Sequence, residues 1–281
     1  MKIGITGATG QLGRLVVENL KSKVENSVIV GLVRSPEKAS DLGIETRAFD
    51  YTQPEQMVKS LEGIDRLLLI SSNQVGQRAV QHQNVIDAAK EAGVKWIIYT
   101  SLLHADTSSL SLAEEHVITE KALQESGIPY TILRNGWYTE NYAGSLKKSV
   151  EAGAIIGSAG DGKISFAPRI DYAEAAAAAI TDESNIGKTY ELASDIPYTL
   201  TQLAEETSLQ TGKEIPYNNL PKEKYAEILV SLGLPEAFAN TIAGWDVAAS
   251  KNDLFEDGKQ LSKLIGRPTT PLSEVVKKVL L

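Results

Sequence analysis

Cysteine is absent from this sequence of 281 residues, and histidine occurs only three times. Without a thiol, the chain can form neither a disulfide nor a catalytic thiolate nor a cysteine-ligated metal site. The histidines His82, His104 and His116 are scattered along the chain and lack the spacing that is typical of zinc ligands. We therefore expect no metal site and no chemistry based on sulfur.

Long apolar runs are missing too, since no stretch approaches the roughly 20 apolar residues that cross a bilayer. The first residues, MKIGITGATG, lead directly into a strand and lack the charged and then apolar layout of a signal peptide. The formal net charge of −8 disfavours nucleic acid as the main partner, because phosphate binding requires a basic surface. We expect a cytoplasmic protein that binds neither nucleic acid nor a membrane.

The first half of the chain repeats one pattern, in which a β-rich apolar run is followed by a helical stretch and then a glycine. The runs are KIGIT, SVIVGLV, IETRAFD, DRLLLISS, KWIIYTS and PYTILR. Nearly continuous apolar strands are typical of a sheet that is covered on both faces. Strands that alternate with helices form a parallel sheet. The pattern predicts an α/β fold with a Rossmann-type, doubly wound parallel sheet over residues 1–135.

The pattern changes after Arg134. The segment NGWYTENYAG is polar and aromatic, and the later stretches carry turn signals and helix starts. We predict that residues 136–281 form a smaller, mostly helical lobe that binds the substrate. The boundary is soft, because a strand near 188–193 could rejoin the main sheet.

A glycine-rich loop, GATGQLG at residues 7–13, follows the first strand and opens the first helix. Small residues let the backbone approach a pyrophosphate, and the helix N-terminus offers N–H groups and a positive dipole end. The alternative is a turn with a structural role only. The strand before the loop and the helix after it favour a dinucleotide site.

Arg34 lies at the end of the second strand, about 20 residues past the loop, where an NAD site would have an acidic residue for the ribose hydroxyls. A guanidinium can pair with a 2′-phosphate through two hydrogen bonds, whereas a carboxylate would repel it. The residue therefore favours NADP over NAD. The alternative is a solvated surface arginine.

Ser71, Ser72 and Asn73 follow the fourth strand. Ligands of open α/β sheets bind beyond the carboxyl ends of the strands, so these residues are candidates for the cofactor groove. The competing interpretation is that they cap a helix or a turn.

Several motifs together resemble one family. They are the glycine loop GATGQLG, an arginine after the second strand, LLLISSN, YTSLLHADTS, HVITEKAL, RNGWYTEN, AGDGKI and the closing SKLIGRPTTPLSEVV. In combination they resemble the NmrA-like branch of the atypical short-chain dehydrogenase/reductase superfamily. Within that branch they are similar to the bacterial NADPH:quinone oxidoreductases. The resemblance covers nearly the whole chain.

The resemblance implies a Rossmann-type domain that binds NADPH, a small C-terminal domain, and a quinone pocket in the cleft between them. By position it implies a set of cofactor contacts: Gly7, Ala8, Thr9, Gly10, Gln11, Leu12, Arg34, Ser71, Ser72, Asn73, Asn135, Gly136, Trp137, Tyr138, Thr139, Glu140 and Arg169. The aromatic rings of Trp137, Tyr138 and His104 could stack on a flat quinone. The alternative for the first two is packing between domains, and for His104 it is an ordinary loop position.

Most short-chain dehydrogenases use a Tyr-x-x-x-Lys pair on the helix after the fifth strand, with a serine at the end of that strand. Here Ser101 ends the strand, but His116 occupies the tyrosine position and Glu120 the lysine position. One interpretation is a structural pair on the helix surface, worth a few tenths of a kcal/mol. The other is that His116 acts as a general acid that Glu120 orients. The sequence assigns no catalytic residue.

The missing tyrosine favours quinones as substrates. A reduced ketone is a basic alkoxide that requires a positioned acid, whereas the charge of a hydroquinone anion spreads into an aromatic ring. We predict an NADPH-dependent reductase of quinones or similar flat electrophiles. The competing hypothesis is an NmrA-like protein that senses NADP(H) without turnover. The physiological acceptor, the proton donor and the oligomeric state, a homodimer included, stay open.

Overall fold

The computed structural model describes residues 1–281, and the chain divides into two compact units. The first comprises Met1–Asp106, Leu112–Asn135 and Arg169–Glu191. The second comprises Thr107–Ser111, Gly136–Pro168 and Leu192–Leu281. The boundary at residue 136 stays a prediction, and the stretch Arg169–Glu191, which we assigned to the later lobe, belongs to the first unit.

A seven-stranded sheet contains all six predicted strands. In chain-order numbering, its strands are β1 (Ile3–Thr6), β2 (Ile29–Val33), β3 (Glu45–Ala48), β4 (Arg66–Leu69), β5 (Trp96–Leu102), β6 (Tyr130–Asn135) and β8 (Thr189–Leu192). Their order across the sheet is β3-β2-β1-β4-β5-β6-β8, and the pairs from β3 to β6 are parallel. This order is the Rossmann arrangement. The predicted fold class is therefore confirmed, and the strand near 188–193 does join the main sheet.

The helices of the first unit cover the sheet. They are α1 (Gln11–Lys21), α2 (Pro54–Leu61), α3 (Arg78–Glu91), α4 (Ala113–Ser126) and α7 (Arg169–Thr181), with short 3₁₀ turns at Asn26–Val28, Pro36–Lys38, Ser40–Leu42 and Glu183–Asn185. Strands β1, β2, β4 and β5 are buried along their whole length, as strands between two layers of helices must be. The alanine-rich α7 packs closely against α1, which explains why it belongs to this unit.

The second unit is mostly helical. Its helices are α5 (Glu140–Ala143), α6 (Leu146–Ala152), α8 (Leu200–Thr211), α9 (Lys222–Ser231), α10 (Glu236–Ser250), α11 (Gln260–Ile265) and α12 (Leu272–Leu280). A short parallel pair, β7 (Ile155–Gly157) and β9 (Tyr217–Asn219), accompanies them. The hydroxyl of Thr199 accepts a hydrogen bond from the Gln202 N–H, and the two side chains form a capping box at the start of α8. No helix of the chain has the length and apolar character that a membrane crossing requires.

Candidate cofactor site

The loop between β1 and α1 can be built only from small residues. Gly7 has a φ of +58°, in the left-handed region that favours glycine. A Cβ on Gly13 would lie 2.2 Å from the carbonyl oxygen of Gly7 and 2.8 Å from the Cα of Ala8. A Cβ on Gly10 would lie 3.1 Å from the same oxygen. The spacing of the three glycines thus keeps the start of α1 in contact with the end of β1.

The N-terminus of α1 is suited to an anion. Gly10 is the N-cap residue and offers no side chain to the first turn, which also contains no acidic residue. The helix dipole and its first N–H groups are therefore not offset by the protein itself. Arg14 supports the loop from the helix, since its Nε donates to the carbonyl oxygen of Thr9 at 3.2 Å, while the guanidinium pairs with Asp41.

A groove of about 710 Å³ opens above this loop, a volume within the range of small-molecule sites. Nine of the predicted cofactor contacts line it: Gly7, Thr9, Gly10, Gln11, Leu12, Arg34, Ser71, Ser72 and Asn73. The sequence interpretation missed further lining residues, among them Val33, Tyr51, Ile70, Gln74 and Gln81. Tyr51 and Ile70 closely follow β3 and β4, so the rule that ligands bind at the carboxyl ends of strands would have found them.

Ala8 differs from its neighbours in the loop because its side chain is fully buried. It lies against β2, where a Cβ on Gly31 would be 3.4 Å from the Cβ of Ala8. Any contact of this residue with a cofactor would have to come from its backbone.

Arg34 directly follows β2 and has an exposed side chain. The guanidinium forms no hydrogen bond or ion pair within the protein, in contrast to Arg14, which pairs with Asp41. Asp50, after β3, caps its own turn, because its Oδ1 accepts hydrogen bonds from the N–H and the hydroxyl of Thr52. An unpaired guanidinium at the rim of the groove is therefore available to an anionic ligand.

The positions that carry the catalytic pair in most short-chain dehydrogenases form a buried cluster. The Ser101 hydroxyl donates to Glu120 Oε1 at 2.5 Å. Arg134 on β6 donates from Nε to Oε1 at 2.9 Å and from Nη2 to Oε2 at 2.7 Å. Glu120 is only 5% exposed. The predicted surface pair of His116 with Glu120 is therefore wrong, because the carboxylate is buried and saturated by Ser101 and Arg134.

The cluster extends to the loop after β5. Arg134 Nη1 lies 2.8 Å from Glu191 Oε1 and 3.1 Å from Asp106 Oδ1. Glu191 Oε2 accepts a hydrogen bond of 2.9 Å from the N–H of His104, a residue with a φ of +51°. This uncommon conformation for a residue with a side chain is thus held by the same network. The imidazole of His104 is partly exposed.

His116 faces the protein interior. Its Nδ1 lies 2.7 Å from the hydroxyl of Tyr99, and the residue is 5% exposed. Burial lowers the pKa of His116 to about 3, with the charge of Arg78 as a second cause. The imidazole is therefore neutral near pH 7, not the imidazolium cation that acts as a general acid. Of the two interpretations of His116, this geometry favours the structural one.

The predicted contacts that follow β6 are not among the residues that line the groove. Trp137 is buried and packs edge-to-face on Trp245, with ring centroids 5.6 Å apart, so it contributes to the core of the second unit. Tyr138 is half-buried, and Arg169 is the first residue of α7. Asn135 ends β6, and its buried Oδ1 has no hydrogen-bond partner in the protein. The remaining predicted contacts belong, with Trp137 and Tyr138, to the segment Gly136–Pro168 of the second unit; they are Gly136, Thr139 and Glu140.

Comparison with known proteins assigns the family. The sequence profile described as NAD(P)H-binding matches residues 7–183. The chain belongs to this NAD(P)H-binding family. Among curated proteins, quinone oxidoreductase 2 of Escherichia coli strain K12 is 56% identical over 277 residues, which cover 98% of this chain and 97% of the relative.

Two solved structures, each a complex with NADPH or NADP(H), match this chain over nearly its whole length. The NADPH-dependent quinone oxidoreductase from Escherichia coli, complexed with NADPH, has a TM-score of 0.97 at 55% identity and covers 99% of this chain and 100% of its own. The triphenylmethane reductase of Citrobacter sp., complexed with NADP(H), has a TM-score of 0.96 at 42% identity, with coverages of 99% and 100%. The resemblance that the sequence motifs predicted is confirmed.

The groove fits the dinucleotide that names the NAD(P)H-binding family. The loop offers backbone N–H groups where a pyrophosphate would bind, and any side chain at position 13 would fill that loop. Arg34 supplies an unpaired cation at the rim. Ser71 also lines the groove, close to the buried hydroxyl of Tyr99.

Proposed function

We propose that the protein is an enzyme that transfers a hydride from NADPH to quinones or similar flat electrophiles. The observation that carries the proposal is the near-complete match to the quinone oxidoreductase of Escherichia coli, whose structure contains NADPH. When bound, the nicotinamide supplies the hydride, and the protein supplies binding and orientation.

In this proposal the loop Gly7–Leu12 holds the pyrophosphate and Arg34 binds the 2′-phosphate. The unpaired state of Arg34 supports the preference for NADPH over NADH, because the guanidinium has no competing carboxylate. Ser71, Ser72 and Asn73 contact the cofactor from the neighbouring strand. Further cofactor contacts from the segment Asn135–Glu140 and from Arg169 stay predictions.

The reaction on the acceptor relies on positioning more than on acid catalysis. His116 is buried and neutral, and Glu120 is fully engaged by Ser101 and Arg134. A quinone suits such a site, because its reduced ring spreads the negative charge and can take its proton from water. His104, Trp137 and Tyr138 stay predictions as quinone contacts; for Trp137, packing on Trp245 is the competing role.

Stopped-flow absorbance of NADPH and then NADH, against a series of benzoquinones and naphthoquinones, tests the proposal. We expect rapid oxidation of NADPH and a kcat/KM for NADH that is lower by about tenfold or more, which corresponds to one lost charged contact. Tight binding of NADPH without turnover on any quinone would refute the enzyme and favour a sensor of the NADP(H) pool. A cytoplasmic location and a homodimer also stay predictions.

A further inference from the structure

The segment Ser71–Gln74 lines the groove yet belongs to no helix or strand. It connects β4 to α3, so the conformation of its backbone depends on contacts with side chains. The Oγ of Ser72 accepts a hydrogen bond from the N–H of Gln74 at 3.1 Å, which is a contact within the segment itself. The N–H of Ser71 donates to the Thr100 hydroxyl on β5 at 2.9 Å, and the side chain of Gln74 pairs with that of Gln81 on α3. Between them, the backbone of Ser72 is held by two further side chains of α3.

The peptide groups on both sides of Ser72 are held by residues one helical turn apart. The N–H of Ser72 donates to Nε2 of His82 at 2.9 Å. The Nε of Arg78 donates to the carbonyl oxygen of Ser72 at 2.6 Å. Because positions i and i+4 share one face of a helix, both contacts come from the same side of α3. Together they determine the orientation of Ser72 in the groove wall.

His82 is itself held in the tautomer that this contact requires. Its Nδ1 lies 2.9 Å from the hydroxyl of Thr119, and that hydroxyl donates to the carbonyl oxygen of Glu115 at 2.8 Å. Thr119 must therefore accept from Nδ1–H, which leaves the lone pair of Nε2 for Ser72. The imidazole is fully buried, and burial lowers its pKa to about 3, so it stays neutral near pH 7.

The end of the same segment is fixed from α4. The carboxylate of Glu115 accepts hydrogen bonds from the N–H of Gly76 at 2.9 Å and from the N–H of Arg78 at 2.8 Å. The start of the connection between β4 and α3 is thus held by Thr100 on β5, its middle by α3 and its end by α4. Only His82 binds the N–H of Ser72.

We infer that His82 is a positioning residue for NADPH binding: through Thr119 on one nitrogen and the Ser72 N–H on the other, it sets the conformation of the groove wall at Ser71–Asn73. The inference rests on the proposed NADPH function of this groove. His82 does not contact the cofactor, and its effect reaches the ligand through the Ser72 peptide.

The test compares three variants of the protein: His82→Leu, His82→Gln and Ser126→Ala. Leucine cannot accept a hydrogen bond, whereas the glutamine amide oxygen can reach the position of Nε2. Ser126→Ala is the control, because it removes a buried hydroxyl at the far end of α4 that donates to the carbonyl oxygen of Leu123 at 2.7 Å and has no contact with the segment. The readouts are the Kd for NADPH by fluorescence and the hydrogen–deuterium exchange of the peptide that contains Ser72.

We expect His82→Leu to raise the Kd for NADPH about tenfold, the effect of one hydrogen bond, and to increase exchange at the Ser72 amide. His82→Gln should restore most of both, and Ser126→Ala should change neither beyond about twofold. Unchanged exchange and unchanged affinity in His82→Leu would overturn the inference. If the unmodified protein does not bind NADPH, the proposed function fails, while the exchange data still decide whether His82 holds the segment.

Discussion

The cofactor groove and the Ser101–Glu120–Arg134 cluster lie in neighbouring parts of one sheet. They differ in whether their charged side chains have partners within the protein. In the groove, the exposed guanidinium of Arg34 forms no hydrogen bond or ion pair within the protein. In the cluster, both oxygens of Glu120 are engaged and the carboxylate is buried. Polar groups left unpaired are available to a ligand, and polar groups that are saturated and buried stabilise the fold.

In the proposed function, this difference separates a groove that binds the cofactor from a buried cluster that takes no part in acid catalysis. The glycine loop and the strand ends that line the groove keep the residue types and spacing of a dinucleotide site. The positions that hold tyrosine and lysine in most short-chain dehydrogenases instead contain groups that are satisfied inside the protein.

Arg134→Met should have the largest effect. It leaves the carboxylates of Glu120 and Glu191 without their cation, and breaking a buried ion pair costs about 3–5 kcal/mol in the free energy of unfolding. Urea denaturation measures the loss. As a control, Lys121→Ala removes an exposed pair with Glu125 and should change stability by less than about 0.5 kcal/mol. If Arg134→Met also changed stability by less than about 0.5 kcal/mol, the structural role of the cluster would be contradicted.

Gly13→Ala should damage the groove directly. Its Cβ would lie 2.2 Å from the oxygen of Gly7, so the backbone of the loop must shift. Overpacking of this kind costs about 1–3 kcal/mol, and we expect NADPH affinity to fall about 30-fold, as measured by fluorescence titration. Gly10→Ala, with its contact at 3.1 Å, should lose less. Equal affinities for both variants and the unmodified protein would show that the loop does not bind the cofactor.

Arg34→Gln should weaken the binding of NADPH much more than the binding of NADH. Hydrogen bonds to charged groups contribute about 1.5–3 kcal/mol, so the Kd for NADPH should rise at least about tenfold. The Kd for NADH should change little, because NADH lacks the 2′-phosphate. Isothermal titration calorimetry with both cofactors measures the difference, and Lys38→Gln is a control at a nearby exposed cation. An equal loss of affinity for both cofactors would mean that Arg34 does not bind the 2′-phosphate.

Acid should destabilise the fold through the two buried histidines. Burial lowers the pKa of His82 and of His116 from 6.5 to about 3. Between these values the unfolded chain binds more protons, so stability falls as the pH decreases. At about pH 5.5 each histidine should lower the free energy of unfolding by about 1.4 kcal/mol relative to neutral pH.

Urea denaturation at neutral pH and at about pH 5.5 measures how much stability is lost on acidification. Comparison with the double variant His82→Gln/His116→Gln gives the part of that loss that comes from the two histidines. The double variant should lose less stability on acidification than the unmodified protein, because its glutamines do not titrate. Identical losses would mean that the histidines are not buried in neutral form.

The features that could be predicted from the sequence are those that local sequence patterns determine. Apolar runs that alternate with helices determine the sheet, and the glycine spacing determines the loop at Gly7–Gly13. The burial of His116 and Glu120 was not predicted, because spacing along one helix does not reveal which face is covered. The cation that saturates Glu120 lies on the next strand, at Arg134, and no local pattern connects the two.

The most direct test of this account is the kcat for quinone reduction by His116→Gln, the variant at the former tyrosine position, with saturating NADPH. If the groove supplies the reactive geometry and no acid acts at this position, kcat should stay within about threefold of the unmodified protein. A variant that is folded and binds NADPH normally, yet has a kcat lower by about 10²-fold or more, would show that His116 is a general acid and contradict the account.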